Sequence, residues 1–129
     1  MNWYKISQNV NYTAVVLDLE SSEKLWNTFK KNIPEDWKKY CHHMTINLGK
    51  TKKPEDLGKE IALTAYEFGI DEKAAAVKVK GYKRLDGGIE HITIAVNINS
   101  GGKPKHSNEI KEWNPCENIS LNGIIKEVS

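Results

Sequence analysis

At 129 residues the chain fits one domain, 1–129, and is long enough to bury a single real core. Its 39% apolar and 28% charged residues match an ordinary globular protein, and no apolar run approaches the length of a bilayer span, so no membrane partner is expected. A net charge of +2 is too small to argue for non-specific coating of nucleic acid.

The N-terminus, Met1-Asn2-Trp3-Tyr4-Lys5, has no basic-then-apolar signal pattern, so a cytoplasmic location is expected. The first strong segment is Tyr12–Leu19, β-branched and apolar enough for a core strand. It stops at Glu20-Ser21-Ser22, where Ser21 or Ser22 would cap a helix through Glu23–Lys30. Leu25, Trp26 and Phe29 share a stripe of that helix, and Pro34 ends it.

Tyr40–Leu48 reads as the next strand, bounded by Gly49. Alternation there predicts Cys41, His43, Thr45 and Asn47 on one side, facing a cleft. His42, Met44, Ile46 and Leu48 fall on the other, with the Met44/Ile46/Leu48 side against the core. After a polar loop, Lys59–Ile70 and Ala74–Gly81 read as two strands joined by Asp71-Glu72-Lys73. The first is ambiguous with a helix; its threonine, its aromatics and the flanking Gly58 and Gly69 favour strand.

Asp86-Gly87-Gly88 signals a tight turn leading into Ile89–Asn97, the clearest strand of the chain. Here His91, Thr93 and Ala95 share one face, and Ile92, Ile94 and Val96 the other. Gly101–Lys105 is a loop, Ser107 would cap a short helix through Ile110 and Trp113 stopped by Pro115, and Ile119–Val128 closes the chain as a strand. The expected organisation is one compact α+β domain with mostly antiparallel pairing. Cys41 and Cys116 show no C-x-x-C spacing, so two reduced, partly buried thiols are expected and not a zinc knuckle.

Two strands repeat one pattern. His43-Met44-Thr45-Ile46 and His91-Ile92-Thr93-Ile94 each put a histidine and a threonine on one face, and the stretches end alike in Asn47 and Asn97. The repetition suggests an approximate two-fold with both histidines in one groove. Breaking a P–O bond needs a proton taken from the attacking oxygen and one given to the leaving oxygen, and histidine does both near neutral pH. The threonine hydroxyls can hold non-bridging oxygens. No metal or cofactor is required, and no carboxylate cluster exists to hold a metal. A metal site from His42, His43 and His91 is the rival use, weakened because neighbours on a strand point apart.

Lys50, Lys52 and Lys53 follow the first tripeptide, and Lys103 and Lys105 the second, compatible with a phosphate-bearing ligand. Tyr12, Trp37, Tyr40, Tyr82 and Trp113 are candidates to stack on a base. Tyr12, Lys103, Lys105, Ser107 and Asn108 are the expected substrate-binding residues, and His106 a solvent-exposed loop residue.

On these residues the chain resembles the two-histidine (2H) phosphoesterase superfamily, with its 2'-5' RNA ligase-like and cyclic phosphodiesterase-like members. The signature of that family is two H-x-[ST] motifs on central strands. The resemblance runs from the Tyr12–Leu19 strand to the terminal strand, and its specificity lies in the two tripeptides. It implies a compact two-lobed fold, with pseudo-two-fold symmetry and a few helices flanking a central cleft. His43 and His91 would be general base and acid, in either order, and Thr45 and Thr93 the phosphate-binding hydroxyls. The family handles 2',3'-cyclic phosphates, 2'-5' linkages and cyclic nucleotide messengers, in RNA repair or in phage counter-defence. The expected partner is therefore an RNA end, an oligonucleotide or a cyclic nucleotide, acted on by a monomer, in the host cytoplasm for a phage protein. A nucleotide-sequestering protein without catalysis is the alternative reading.

Overall fold

The structure, a computed structural model, describes residues 9–129. The stretch read as lacking a signal pattern, Met1–Lys5, lies outside them. Among the described residues seven strands are formed: β1 (Tyr12–Leu17), β2 (Lys38–Lys39), β3 (His43–Leu48), β4 (Glu60–Ile70), β5 (Ala74–Lys80), β6 (His91–Val96) and β7 (Asn114–Val128). The α-helix α1 (Leu19–Phe29) follows β1, and short 3-10 turns fill several connections. This is the expected α+β class with antiparallel strands. The sheet order β6-β3-β1-β7-β4-β5 returns to β6 and closes a six-stranded barrel, with β2 as an added strand.

The helix forms one turn earlier than the sequence suggests. Asp18, not Ser21 or Ser22, is its N-cap: the carboxylate accepts from the Ser21 amide at 2.8 Å, which also holds Asp18 below the usual carboxylate range. Ser21 lies inside the first turn and is buried, its Oγ accepting the Asn122 amide of β7 at 2.7 Å. A buried hydroxyl spent on β7 is unavailable as a cap. Leu25 and Phe29 bury into the core as the stripe predicts, and Phe29 stacks on Phe68 of β4 at 4.6 Å. The helix gives way to a 3-10 turn at Lys30–Asn32, ahead of Pro34.

β4 and β5 are strands, as their composition favours, and β7 is longer at its start than the predicted Ile119–Val128. Pro115 does not stop a helix; it sits inside β7, opposite Glu67, where the β4 register shifts. The barrel interior is filled by side chains that include Val15, Met44, Leu63, Val77, Ile92, Leu121 and Ile125. A smaller cluster of Ala74, Ala76, Val96 and Ile110 forms separately, with Tyr40 and Trp113 packed against it. No helix among the described residues is long and apolar enough to cross a membrane.

Candidate active site

Three irregularities in the strands build the site. The first lies between β2 and β3, which pair along the same side of β6. Lys38 pairs with Val96 and Lys39 with Ala95, and the Tyr40 and Cys41 amides continue onto the Ile94 and Thr93 carbonyls. The next pair is Met44 with Ile92. Between the neighbours Thr93 and Ile92, the facing chain therefore inserts His42 and His43. Cys41 takes up the turn with φ of 52°, a left-handed conformation rare for a residue with a Cβ. Its carbonyl accepts the Ser22 hydroxyl at 2.7 Å, and the His42 carbonyl accepts the Leu17 amide at 2.9 Å, so the insertion is pinned to α1 and β1.

That insertion overturns two expectations. Simple alternation does not reach across it, so Cys41 belongs to the buried core and not to the cleft side. His42 does not point away from His43: their Nδ1 atoms are 2.9 Å apart, and both residues line one pocket. Burial pushes the Cys41 thiol up to about 12, so it stays protonated. Cys41 and Cys116 are both free thiols, as expected.

The other two irregularities come just after each threonine. In β3, Thr45 faces Ala14 and Asn47 faces Thr13, which leaves Ile46 as the extra residue of a bulge. In β6, Thr93 faces Ala76 and Ala95 faces Ala75, which leaves Ile94 extra in the same way. Alternation flips after both. Leu48, predicted to face the core, is instead 75% exposed and lines the pocket. Asn47, predicted to face the cleft, is buried. Likewise Ala95 joins the barrel core and Val96 the smaller cluster, the reverse of the expected faces. Both asparagines tie down the turns that follow them, Asn47 Nδ2 donating to the Lys50 carbonyl at 2.9 Å and Asn97 Nδ2 to Ser100 Oγ at 2.9 Å.

His43, Thr45, His91 and Thr93 are brought together in one pocket of about 450 Å³. The Tyr12 ring stacks on His43 with centroids 4.6 Å apart and planes 23° from parallel. His91 is buried, its Nδ1 placed 2.7 Å from the Ile89 carbonyl, which can only accept; Nδ1 therefore carries a proton and Nε2 is the remaining nitrogen. Thr93 Oγ1 lies 2.8 Å from Ser107 Oγ and 3.3 Å from the Pro104 carbonyl. Ser107 is buried in the 3-10 turn Pro104–Glu109, not the cap of a later helix.

The surroundings of both imidazoles disfavour their charged forms. Burial, then the charges of His42 and His91, pushes His43 down to about 4. Burial also holds His91 below the ordinary histidine value, opposed by the bond to the Ile89 carbonyl and assisted by the Arg84 charge. An incoming phosphate would reverse this by pairing with the charged form of either ring.

Of the expected substrate-binding residues, Tyr12, Lys105 and Asn108 line the pocket. Ser107 stands behind Thr93, and Lys103 lies off the pocket, as do Lys50, Lys52 and Lys53. His106 accepts the Lys103 amide at 2.9 Å, so it shapes the turn. Among the other aromatic candidates, Tyr40 lines the pocket, Tyr82 donates to Asp56 Oδ2 at 2.6 Å, Trp113 donates to the Ile110 carbonyl, and Trp37 lies in a separate depression with Trp26.

Arg84 lines the pocket and was missed in the sequence. Its guanidinium forks onto Asp86, Nε to Oδ1 at 2.8 Å, and its amide donates to Glu90 Oε2 at 3.0 Å. The fork holds the Asp86 carboxyl at about 2. Nothing in Lys83-Arg84-Leu85 marks the residue, because it reaches the pocket from a loop that the β5–β6 pairing brings back. Among the described residues, no three His, Cys, Asp or Glu side chains are grouped to hold a metal ion. No family model matches this chain, and no curated protein matches it.

Proposed function

We propose that the chain is a metal-independent phosphodiesterase of the two-histidine type, acting on a nucleotide phosphodiester. The observation that carries this reading is the gathering of His43, Thr45, His91 and Thr93 into one pocket through the Met44–Ile92 pair. The matching bulges at Ile46 and Ile94 support an approximate two-fold between the motifs, with the pocket as the central cleft. A 2',3'-cyclic phosphate, a 2'-5' linkage or a cyclic oligonucleotide would present the same anionic phosphorus to it.

In this reading His43, neutral in the resting protein, takes the proton from the attacking oxygen. His91 takes the opposite role once a bound phosphate favours its charged form. Burial holds it low in the unliganded protein, but the Ile89 carbonyl keeps one proton on Nδ1, so the proton it gains sits on Nε2, for the leaving oxygen. The two threonine hydroxyls and Arg84 receive the non-bridging oxygens. Tyr12, Tyr40 and Leu48 offer apolar surface for a base or ribose.

The test is a panel of RNA with 2',3'-cyclic phosphate ends, 2'-5' oligoadenylate and cyclic oligonucleotides, incubated with chelator present. The expected result is turnover of at least one, falling by about 10²- to 10⁴-fold in His43→Ala and in His91→Ala. Binding without turnover, unchanged in both variants, would replace this reading with the sequestering one. Turnover lost on chelation would favour a metal-dependent enzyme.

A further inference from the structure

The pocket holds a third imidazole that the proposed chemistry leaves idle. His42 is exposed while His43 is half-buried, and their rings meet edge to face at 82° with centroids 5.1 Å apart. The Nδ1–Nδ1 distance of 2.9 Å is a hydrogen bond, and between two neutral imidazoles it needs one donor and one acceptor. If His42 donates, His43 carries its proton on Nε2 and has no free lone pair. If His43 donates, its Nε2 is bare and can accept a proton. Only the second arrangement leaves His43 able to act as a base.

The contact is built into the backbone. His42 and His43 are the two inserted residues opposite the Thr93–Ile92 step, pinned through the Cys41 and His42 carbonyls to Ser22 and Leu17. Tyr12 stacks on the His43 ring while His42 closes its edge. Beyond burial, the groups that act on His43 are the imidazoles of His42 and His91, with no carboxylate among them. A carboxylate usually orients a working histidine and also stabilises its imidazolium. A neutral acceptor orients the ring without charging it in advance.

We propose that His42 is the positioning residue for His43: its Nδ1 accepts the His43 Nδ1–H and thereby fixes the tautomer whose Nε2 is free. This rests on the reading of His43 as proton acceptor. When the attacking O–H breaks, its proton forms the new Nε2–H bond of His43, and the electron pair stays on the oxygen that bonds phosphorus. The Nδ1–H remains on His43 with its charge shared toward His42, and the Nε2 proton passes to water once product leaves. His42 keeps its own Nε2 proton throughout.

The test is the ¹⁵N spectrum of histidine-labelled protein in mildly alkaline solution, comparing wild type, His42→Ala and His42→Asn without substrate. We expect His43 as the Nδ1–H tautomer in wild type, a shift toward Nε2–H in His42→Ala, and retention in His42→Asn, whose amide oxygen can accept. In turnover, His42→Ala should lower kcat by about tenfold or more with little change in KM, and His42→Asn should recover part of it. A wild-type His43 carrying its proton on Nε2, or a tautomer unmoved in His42→Ala, overturns the proposal. So does an equal loss of kcat in both variants. Because the tautomer is read without substrate, it decides the role of His42 even if no member of the substrate panel is turned over.

Discussion

The hydroxyls of Thr93 and Ser107 lie 2.8 Å apart, which couples a β6 side chain to the 3-10 turn that carries Lys105 and Asn108. Ser107 is buried, so this bond cannot be exchanged for water without a cost. We predict that Ser107→Ala destabilises the fold by about 1 kcal/mol and raises KM for the substrate, since Thr93 and the turn lose their common anchor. Urea unfolding and steady-state kinetics on the same variant check both. Unchanged kinetics would detach the turn from the site.

His43 ties stability to pH. Its folded value near 4 lies below the ordinary 6.5, so between those values the unfolded chain binds the proton that the folded one refuses. Stability therefore rises with pH across that window, by roughly 3 kcal/mol from this one group. His91 is shifted in the same direction and adds to the slope. Urea midpoints measured at the two ends should differ, and His43→Gln should reduce the difference. A midpoint that falls with rising pH would contradict the sign.

Arg84 already forks onto Asp86, yet it lines the pocket that would receive the phosphate in the proposed reaction. A charge-assisted bond to phosphate is worth about 1.5–3 kcal/mol. Arg84→Met should therefore weaken binding of a non-cleavable nucleotide by about 10- to 100-fold, read by titration calorimetry. It should also release Asp86 toward the ordinary carboxylate range, since the fork is the main cause of its low value.

The close approach of β7 to β1 depends on Gly123. A Cβ there would meet the Val16 carbonyl oxygen at 2.6 Å and Val15 Cγ1 at 2.7 Å. Gly123 is paired with Leu17, so the strands cannot part without disturbing the ladder beside β3. Gly123→Ala is expected to cost about 1–3 kcal/mol, visible as a lowered Tm.

Much of this protein is legible in its residues. The β-branched runs at Tyr12–Leu17 and His91–Val96 and the apolar stripe of α1 follow from local period and propensity, which need no neighbour. The H-x-T spacing alone puts each histidine and threonine on one face, because that relation spans only two residues of strand. Beyond that distance the partner strand decides. The insertion of His42 and His43 is set by where β6 resumes pairing, and the flips that expose Leu48 and bury Ala95 are set by bulges against β1 and β5. Arg84 enters the pocket only because β5 and β6 pair. Alternation is a property of a strand, while register belongs to two strands at once, and only the tertiary structure supplies the second.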